Sequence, residues 1–265
     1  MTVYECQGSQ PALGEPKEIG FLGIWPEPPF YYLFFEHEAG PGLSEWLARQ
    51  EGWELLQTYR LDYDKWQQLS VERIKIGPFI IEMTLGAELP AQGRDESVIR
   101  LDPGLVFGSG LHGSSKGCLL AISRVFNQFP IRNVVDMGTG TGILALSCKL
   151  LGAATVLAID NNPLAARVAC RNILTNGAEK VVKVLVAEDL SILKEPSDLL
   201  VMNLEWPSLV RLLAMGDWLY YRFVILSGFL ENQWEKAKEH IPPSFRLRSR
   251  LNIEDWLTVT LSKST

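Results

Sequence analysis

Short apolar runs alternate with helix-spaced segments along the second part of the chain. Each run is short enough for a strand, and the segments between have the 3.6-residue period of helices. The predicted strands are 133–135, 155–159, 181–186, 199–202 and 223–226, and the clearest predicted helices are 143–151 and 163–176. Continuous apolar strands that alternate with helices predict a parallel sheet covered on both faces.

The tail of the chain has a different pattern. Residues 245–251 and 256–261 read as two more strands, and only four residues separate them. Four residues are too few for a crossover helix, so the two strands are predicted to form an antiparallel hairpin at the sheet edge. The prediction is a Rossmann-like α/β domain with a seven-stranded sheet, and dinucleotide-binding domains normally lack this hairpin.

The first part of the chain predicts a smaller α+β domain. Residues 30–35 are predicted to form an aromatic strand, 43–50 a short helix and 54–61 a second strand. Residues 73–85, which Gly77-Pro78 interrupts, are predicted to form a hairpin or a pair of short strands. The aromatic side chains are expected to fill a small core rather than line a groove. We predict a small domain over 1–87, a linker over 88–100 and the main domain over 101–265.

Composition is that of a folded globular chain, with 47% hydrophobic and 21% charged residues among 265. No apolar run approaches the ~18 residues of a membrane span, and no secretory pattern opens the chain. Residues 1–100 carry 8 basic and 16 acidic side chains, whereas residues 101–265 carry 17 and 15. Neither part has the basic footprint of a duplex nucleic-acid binder. The acidic first part suits a basic protein partner, or it simply maintains solubility.

The four cysteines and three histidines are scattered without metal-ligand spacing. We therefore expect no disulfide framework, no metal site and a reducing, cytoplasmic setting. Cys148 and Cys170 lie in apolar helical patterns, where a thiol is usually a small buried hydrophobe.

A glycine-rich loop directly follows the first strand of the main domain. It reads D-x-G-x-G-x-G, and its candidate cofactor residues are Asp136, Gly138, Thr139, Gly140 and Gly142. The leading carboxylate would repel the pyrophosphate of a dinucleotide and attract an amine. Asp160 ends the second strand, where an acid accepts both ribose hydroxyls, and the adjacent Asn161 is counted with it. An amine and a ribose without phosphate indicate S-adenosylmethionine, although the glycines alone would also serve a plain turn.

The end of the third strand supplies a further pair of candidates. Either Glu188 or Asp189 is positioned to accept a hydrogen bond from the adenine amino group. The alternative for Asp189 is the N-cap of a following helix, and the two roles are compatible.

A second glycine cluster lies at the start of the main domain, ahead of its first strand, and reads DPGLVFGSGLH over 102–112. Here the chain resembles the PrmA family of ribosomal protein methyltransferases, whose hallmark is approximately D-P-G-x-A-F-G-T-G-x-H-x-T-T before a D-x-G-x-G-x-G loop. DLLVMN over 198–203, SGFL over 227–230 and DWL over 255–257 also match, so the resemblance covers about 72–265. It implies a class I S-adenosylmethionine-dependent methyltransferase, with cofactor contacts at Phe107, Gly108, Gly110 and His112. For His112, capping of a helix is the alternative.

The chain departs from this family pattern in two places. The family hallmark has an end like Thr-His-Pro-Thr-Thr, and this chain has Leu111 at the position of its first Thr, before His112. The first domain resembles the substrate-recognition domain of the family only loosely. The reaction class is therefore better supported than the substrate.

Asn203 and Trp206 follow the fourth strand, at the sheet edge where ligands bind in such folds. The Asn203 carbonyl would accept a hydrogen of the substrate amine and also contact the cofactor, and Trp206 would wall the pocket. This resembles the Asn-x-x-aromatic pattern of amino-group methyltransferases. A turn asparagine and a packed tryptophan are the alternatives.

The leading hypothesis is methylation of amino groups, a lysine side chain or an N-terminal α-amine, on a ribosomal protein. The alternatives are methylation of another protein or a small amine, and a cofactor-binding interaction protein without transfer activity. A nicotinamide oxidoreductase is disfavoured by Asp136 and by the terminal hairpin.

Overall fold

The computed structural model describes residues 1–8, 14–27, 29–60, 73–83, 98–102, 112–193 and 197–264. The chain divides into two compact units. One comprises residues 1–70 and 162–164, and the other comprises 71–161 and 165–265. No helix among these described residues is long and apolar enough to cross a membrane.

The first unit is built on a four-stranded antiparallel sheet. Its elements are β1 (Thr2–Gly8), β2 (Phe21–Glu27), β3 (Phe30–Phe35), α1 (Pro41–Leu47) and β4 (Trp53–Arg60), and the strand order is β2-β3-β1-β4. Alternate residues of β3 point inward, so Tyr31, Leu33 and Phe35 join Trp46 of α1 in one buried cluster. The predicted aromatic strand, helix and second strand are confirmed, and β1 and β2 are additional.

The second unit begins with a small three-stranded sheet. Strands β5 (Arg73–Ile76) and β6 (Phe79–Met83) form the predicted hairpin around Gly77-Pro78, and β7 (Val98–Leu101) runs parallel to β6. Residues 98–100 were predicted to belong to a linker, but they form a strand because three of the four side chains of β7 are buried. The remainder of that predicted linker, 88–97, lies outside the described residues.

A seven-stranded sheet forms the centre of the second unit. Its elements are α2 (Gly113–Gln128), β8 (Asn133–Met137), α3 (Ile143–Leu150), β9 (Thr155–Asp160), α4 (Pro163–Thr175), β10 (Val182–Val186), β11 (Leu199–Asn203), α5 (Trp206–Met215), β12 (Phe223–Leu230), α6 (Trp234–Lys238), β13 (Phe245–Ile253) and β14 (Trp256–Lys263), with 3₁₀ turns at Asp217–Tyr220 and Glu231–Gln233. The order is β10-β9-β8-β11-β12-β14-β13. The first five of these are parallel, and β13 and β14 form the predicted antiparallel hairpin beside β12. The predicted Rossmann-like class is confirmed.

Two hydrophobic clusters cover the two faces of this sheet. Alternation along each strand separates them: Val134 and Val201 belong to the cluster under α2 and α3, whereas Val135 and Met202 belong to the cluster under α5. Two expectations need correction. The edge strand β10 is largely exposed, because β9 pairs with it on one side only. Cys170 is exposed although Cys148 is buried.

Candidate functional site

Three polar side chains end neighbouring strands at the carboxyl edge of the large sheet. Asp136 on β8 is in register with Ala158 of β9 and Val201 of β11. Asp160 and Asn203 each lie two residues further along these flanking strands, so all three share the face that α2 and α3 cover. Asp160 and Asn203 are thus one pleat beyond Asp136 and two strand spacings apart, about 10 Å. The strand order reverses at β8, which is where ligands bind in open α/β sheets.

Asp136 is fully buried and only half paired. Its Oδ2 accepts hydrogen bonds from the Thr139 hydroxyl at 2.6 Å and from the Ala145 backbone N–H at 3.2 Å. Its Oδ1 has no partner among the described residues. Burial raises the pKa of Asp136 to about 7 and the charge of Asp160 adds to the rise, although the two hydrogen bonds oppose it. The site therefore holds a carboxylate whose charge lacks a counter-ion within the described chain.

The glycine loop takes a conformation that side chains disfavour. Its three glycines all have positive φ, at 78°, 55° and 84° for Gly138, Gly140 and Gly142. The Gly140 N–H donates to Asp160 Oδ2 at 2.9 Å, so this second acid also fixes the loop. A Cβ on Gly138 would come within 2.1 Å of the Leu204 side chain. The loop therefore needs glycine both for its backbone angles and for its close approach to the residue after Asn203.

These residues fit the cofactor that the sequence predicts. An ammonium group pairs with a carboxylate oxygen that has no other partner, and Asp136 Oδ1 is such an atom among the described residues. A nucleoside can lie against bare backbone, which the glycine loop provides. Asp160 lies at the end of β9 with 8% of its surface exposed. Asn161 directly follows Asp160 and is exposed. No group of three or more His, Cys, Asp or Glu side chains suited to a metal occurs within the described ranges.

The two acidic candidates after β10, Glu188 and Asp189, differ in how firmly their side chains are held. Asp189 Oδ1 accepts from both the backbone N–H and the hydroxyl of Ser191, at 2.9 and 2.6 Å, and these bonds lower the pKa of Asp189. A turn and not a helix follows, so the alternative that Asp189 caps a helix is wrong and the carboxylate stabilises a turn. Glu188 is exposed, and its side chain is the less constrained of the two.

Asn203 is held by a residue that the sequence did not single out. Its Nδ2 donates to the hydroxyl of Ser115 on α2, at 3.4 Å. Ser115 is buried, with 3% of its surface exposed. This bond directs the amide nitrogen toward α2 and leaves the carbonyl oxygen on the other side of the amide. Ser115 stands at the last Thr position of the family hallmark, but the sequence does not pair it with Asn203, because only the sheet order brings α2 to β11.

The start of α2 also carries His112. The backbone places His112 at the N-cap, but its side chain makes no capping hydrogen bond. Instead its Nδ1 lies 2.8 Å from the Ser114 hydroxyl, and its ring lies 4.4 Å from the ring of Trp256 on the hairpin. His112 therefore occupies the capping position of the alternative, without a capping bond from its side chain. Its predicted contact with the cofactor stays a prediction.

Trp206 packs against a core cluster, whereas most of the second glycine cluster lies outside the described residues. Trp206 begins α5, and its ring packs 6.0 Å from the ring of Phe229, on the cluster under α5. This contact agrees with the alternative that Trp206 is a packed tryptophan. Part of Trp206 remains exposed, and its role as a pocket wall stays a prediction. Phe107, Gly108 and Gly110 lie outside the described residues, as does Leu111.

Sequence comparison places these features in a known group. The sequence model of the ribosomal protein L11 methyltransferase (PrmA) family matches residues 59–264. A ribosomal protein L11 methyltransferase of Heliobacterium modesticaldum is 36% identical over 173 residues, which are 64% of this chain and 54% of that protein. One from Rhizobium leguminosarum is 32% identical, over 73% of this chain and 69% of that protein.

A solved structure shows the same fold. The ribosomal protein L11 methylase of Lactobacillus delbrueckii subsp. bulgaricus superposes with a TM-score of 0.63 and 28% identity, covering 73% of this chain and 99% of that one. The alignments span only 54 to 64% of the length of several curated relatives.

Proposed function

Because the chain belongs to the ribosomal protein L11 methyltransferase (PrmA) family, we propose that it transfers methyl groups from S-adenosylmethionine to amino groups of a ribosomal protein. The observation that carries the proposal is the unpartnered Oδ1 of buried Asp136, one pleat below Asp160 and Asn203 at the point where the strand order reverses. The relatives' shared name supports the substrate class. A ribosomal protein substrate would place the reaction in the cytoplasm.

The cofactor would lie across the glycine loop. Asp136 would accept its amine, Asp160 its ribose hydroxyls, and Glu188 or Asp189 its adenine amino group. The burial of Asp136 strengthens an interaction with a cation, because little water competes for the carboxylate. When bound, S-adenosylmethionine supplies a methyl group that its sulfonium charge already activates.

Asn203 would aim the substrate amine. Its amide nitrogen is engaged by Ser115, so its carbonyl oxygen is the free acceptor for an amine hydrogen. Accepting that hydrogen orients the nitrogen lone pair, and orientation is the main contribution that this chain needs to make.

The amine must be neutral before it attacks. A lysine with a pKa of about 10.4 costs about 4–5 kcal/mol to deprotonate at neutral pH, and an α-amino group of pKa ~8 costs about 1 kcal/mol. Desolvation at the carboxyl edge of the sheet favours the neutral form of either amine. The site can therefore use either type of amine, and the α-amine costs less free energy to deprotonate.

Labelled transfer tests this proposal. The full chain is incubated with isotopically labelled S-adenosylmethionine and purified ribosomal protein L11, and mass spectrometry then locates the methyl groups. Asn203→Ala is the control: we expect its turnover to fall about 100-fold, while its affinity for the cofactor stays close to that of the wild type. Unchanged turnover in Asn203→Ala would refute its assigned role.

The alternatives give different outcomes in the same assay. Label on another protein or on a small amine of a cell extract, with none on L11, would change the substrate and keep the chemistry. Cofactor binding without any labelled product would favour an interaction protein. The departure from the family hallmark at Leu111 would then explain the lost transfer activity, together with the loosely matching first domain.

A further inference from the structure

Two asparagines one helical turn apart link α4 to the start of the second glycine cluster. Asn172 lies within α4 and is fully buried, and Asn176 follows directly after the helix. Positions four apart lie on the same helix face, about 6 Å apart along the axis. Alternate residues of a strand are about 6.6 Å apart. The two side chains can therefore meet two alternate residues of one extended segment.

The segment they meet is the end of β7. Asn176 accepts from the Arg100 N–H at 2.9 Å and donates to the Arg100 carbonyl at 2.6 Å. Asn172 accepts from the Asp102 N–H at 2.9 Å and donates to the Asp102 carbonyl at 3.0 Å. The two amides thus pair with the backbone as a neighbouring strand would, on the edge of β7 that β6 does not occupy.

Each asparagine makes a third bond. The Asn176 Nδ2 donates to the backbone carbonyl of Asn172, within α4, at 2.7 Å. The Asn172 Nδ2 also donates to the Thr141 carbonyl at 2.9 Å. Thr141 is fully buried and lies between Gly140, whose N–H is bonded to Asp160, and Gly142, the N-cap of α3. A single buried amide therefore joins the end of β7 to the loop on which the cofactor would lie.

We propose that Asn172 is a positioning residue for the cofactor site, whereas Asn176 only anchors the strand. A loop with three positive-φ glycines has a large conformational entropy when it is free. The bond to the Thr141 carbonyl restricts this freedom before any ligand arrives and keeps the Gly140 N–H on Asp160. Without that bond, the cost of ordering the loop is subtracted from the binding free energy of the ligand. The inference rests on the proposed function, because it names S-adenosylmethionine as that ligand.

The test compares Asn172→Ala with Asn176→Ala. The second variant loses the equivalent pair of bonds to β7 and a bond to the Asn172 backbone carbonyl, but no bond to the loop. Amide hydrogen exchange at Gly140 is measured without cofactor, and the dissociation constant of S-adenosylmethionine is measured by calorimetry. We expect both the exchange rate and the dissociation constant to rise about ten-fold in Asn172→Ala and to stay at the wild-type values in Asn176→Ala. Asn172→Ser, which keeps one donor, gives the same ordering with a smaller rise and serves if Asn172→Ala does not fold.

Two results would overturn the proposal. If both alanine variants raise Gly140 exchange and weaken binding equally, Asn172 is a clamp on β7 and nothing more. If neither variant changes Gly140 exchange, the bond to Thr141 does not order the loop. Absence of S-adenosylmethionine binding in the wild type would instead refute the proposed function, and the exchange comparison would still decide the role of Asn172.

Discussion

Among single residues, the buried Asp136 carboxylate costs the chain folding free energy. Burial raises its pKa to about 7, so the folded chain keeps a proton that the unfolded chain releases near pH 4. Between these two values the folded state binds more protons, and the free energy of unfolding falls as pH rises. The slope from this one group reaches about 1.4 kcal/mol per pH unit. A bound cation would relieve this cost.

We predict that Asp136→Asn removes this slope. The amide can accept from Thr139 and Ala145 as the carboxylate does, but it carries no charge. The variant should unfold at higher urea concentration than the wild type at pH 8, with the difference shrinking toward pH 4, and its affinity for S-adenosylmethionine should fall. Urea titrations at pH 5 and pH 8 measure the first effect. Equal pH dependence in both proteins would mean that Asp136 is charged at low cost in the folded chain.

The site residues show which chemistry a sequence can reveal. Asp136 and Asp160 were identifiable because each directly follows a predicted strand, so the sheet edge brings them together. Ser115 was not, since its bond to Asn203 joins residues 88 positions apart and depends on how α2 crosses the sheet. The sequence could not predict whether Trp206 lines the pocket or packs in the core, because it does not place Phe229 beside this tryptophan.

At the scale of elements, the turn after β11 depends on close approach to a glycine of β12. Gly228 has a φ of 88°, and a Cβ there would come within 2.0 Å of the Leu204 carbonyl oxygen. Leu204 directly follows Asn203, and its N–H donates to the Ser227 carbonyl at 3.2 Å. A side chain at position 228 would therefore push the backbone that carries Asn203.

We predict that Gly228→Ala impairs both stability and transfer. Gly152→Ala is the matched control, because Gly152 also has a positive φ, of 97°, but no atom within 4 Å of its added Cβ. The control should lose about 1 kcal/mol of unfolding free energy from backbone strain alone, whereas Gly228→Ala should lose more and also lose turnover. Denaturation and labelled transfer measure the two effects. Equal losses in both variants would show that the turn tolerates the shift.

Most elements of the large sheet follow from the sequence because their apolar runs are uninterrupted. β1, β2 and β7 were missed for identifiable reasons. β2 contains Gly23 and Pro26, residues that disfavour strands, and β1 mixes polar and apolar residues within seven positions. β7 is only four residues long, and it pairs with a strand that precedes it by fifteen positions. Such pairings are set by tertiary contacts and leave no local pattern.

At the scale of the whole molecule, charge is unevenly divided along the chain. The excess of 16 acidic over 8 basic residues lies within 1–100, and residues 101–265 are nearly balanced. Complementary potentials chiefly speed the encounter between partners and weaken with salt. An acidic front part therefore suits a basic protein substrate.

We predict that the KM for ribosomal protein L11 rises with potassium chloride concentration. Replacing exposed Glu45 and Glu51 by Gln should flatten this dependence, since both lie in the acidic part. Replacing exposed Glu179 and Glu239 by Gln is the control, with the same change in net charge and an expected dependence like that of the wild type. Steady-state kinetics over a salt series provide the measurement. Equal flattening by both pairs would assign the effect to net charge alone.

We propose that Asp136 and Asp160 hold a phosphate-free, amine-bearing nucleoside where the strand order reverses. Calorimetric titration checks this proposal, with S-adenosylmethionine and NAD each added to the wild type, Asp136→Asn and Asp160→Asn. We expect the wild type to bind S-adenosylmethionine and not NAD, and each substitution to weaken the binding. Binding of NAD, or equal affinity for S-adenosylmethionine in all three proteins, would overturn the proposal.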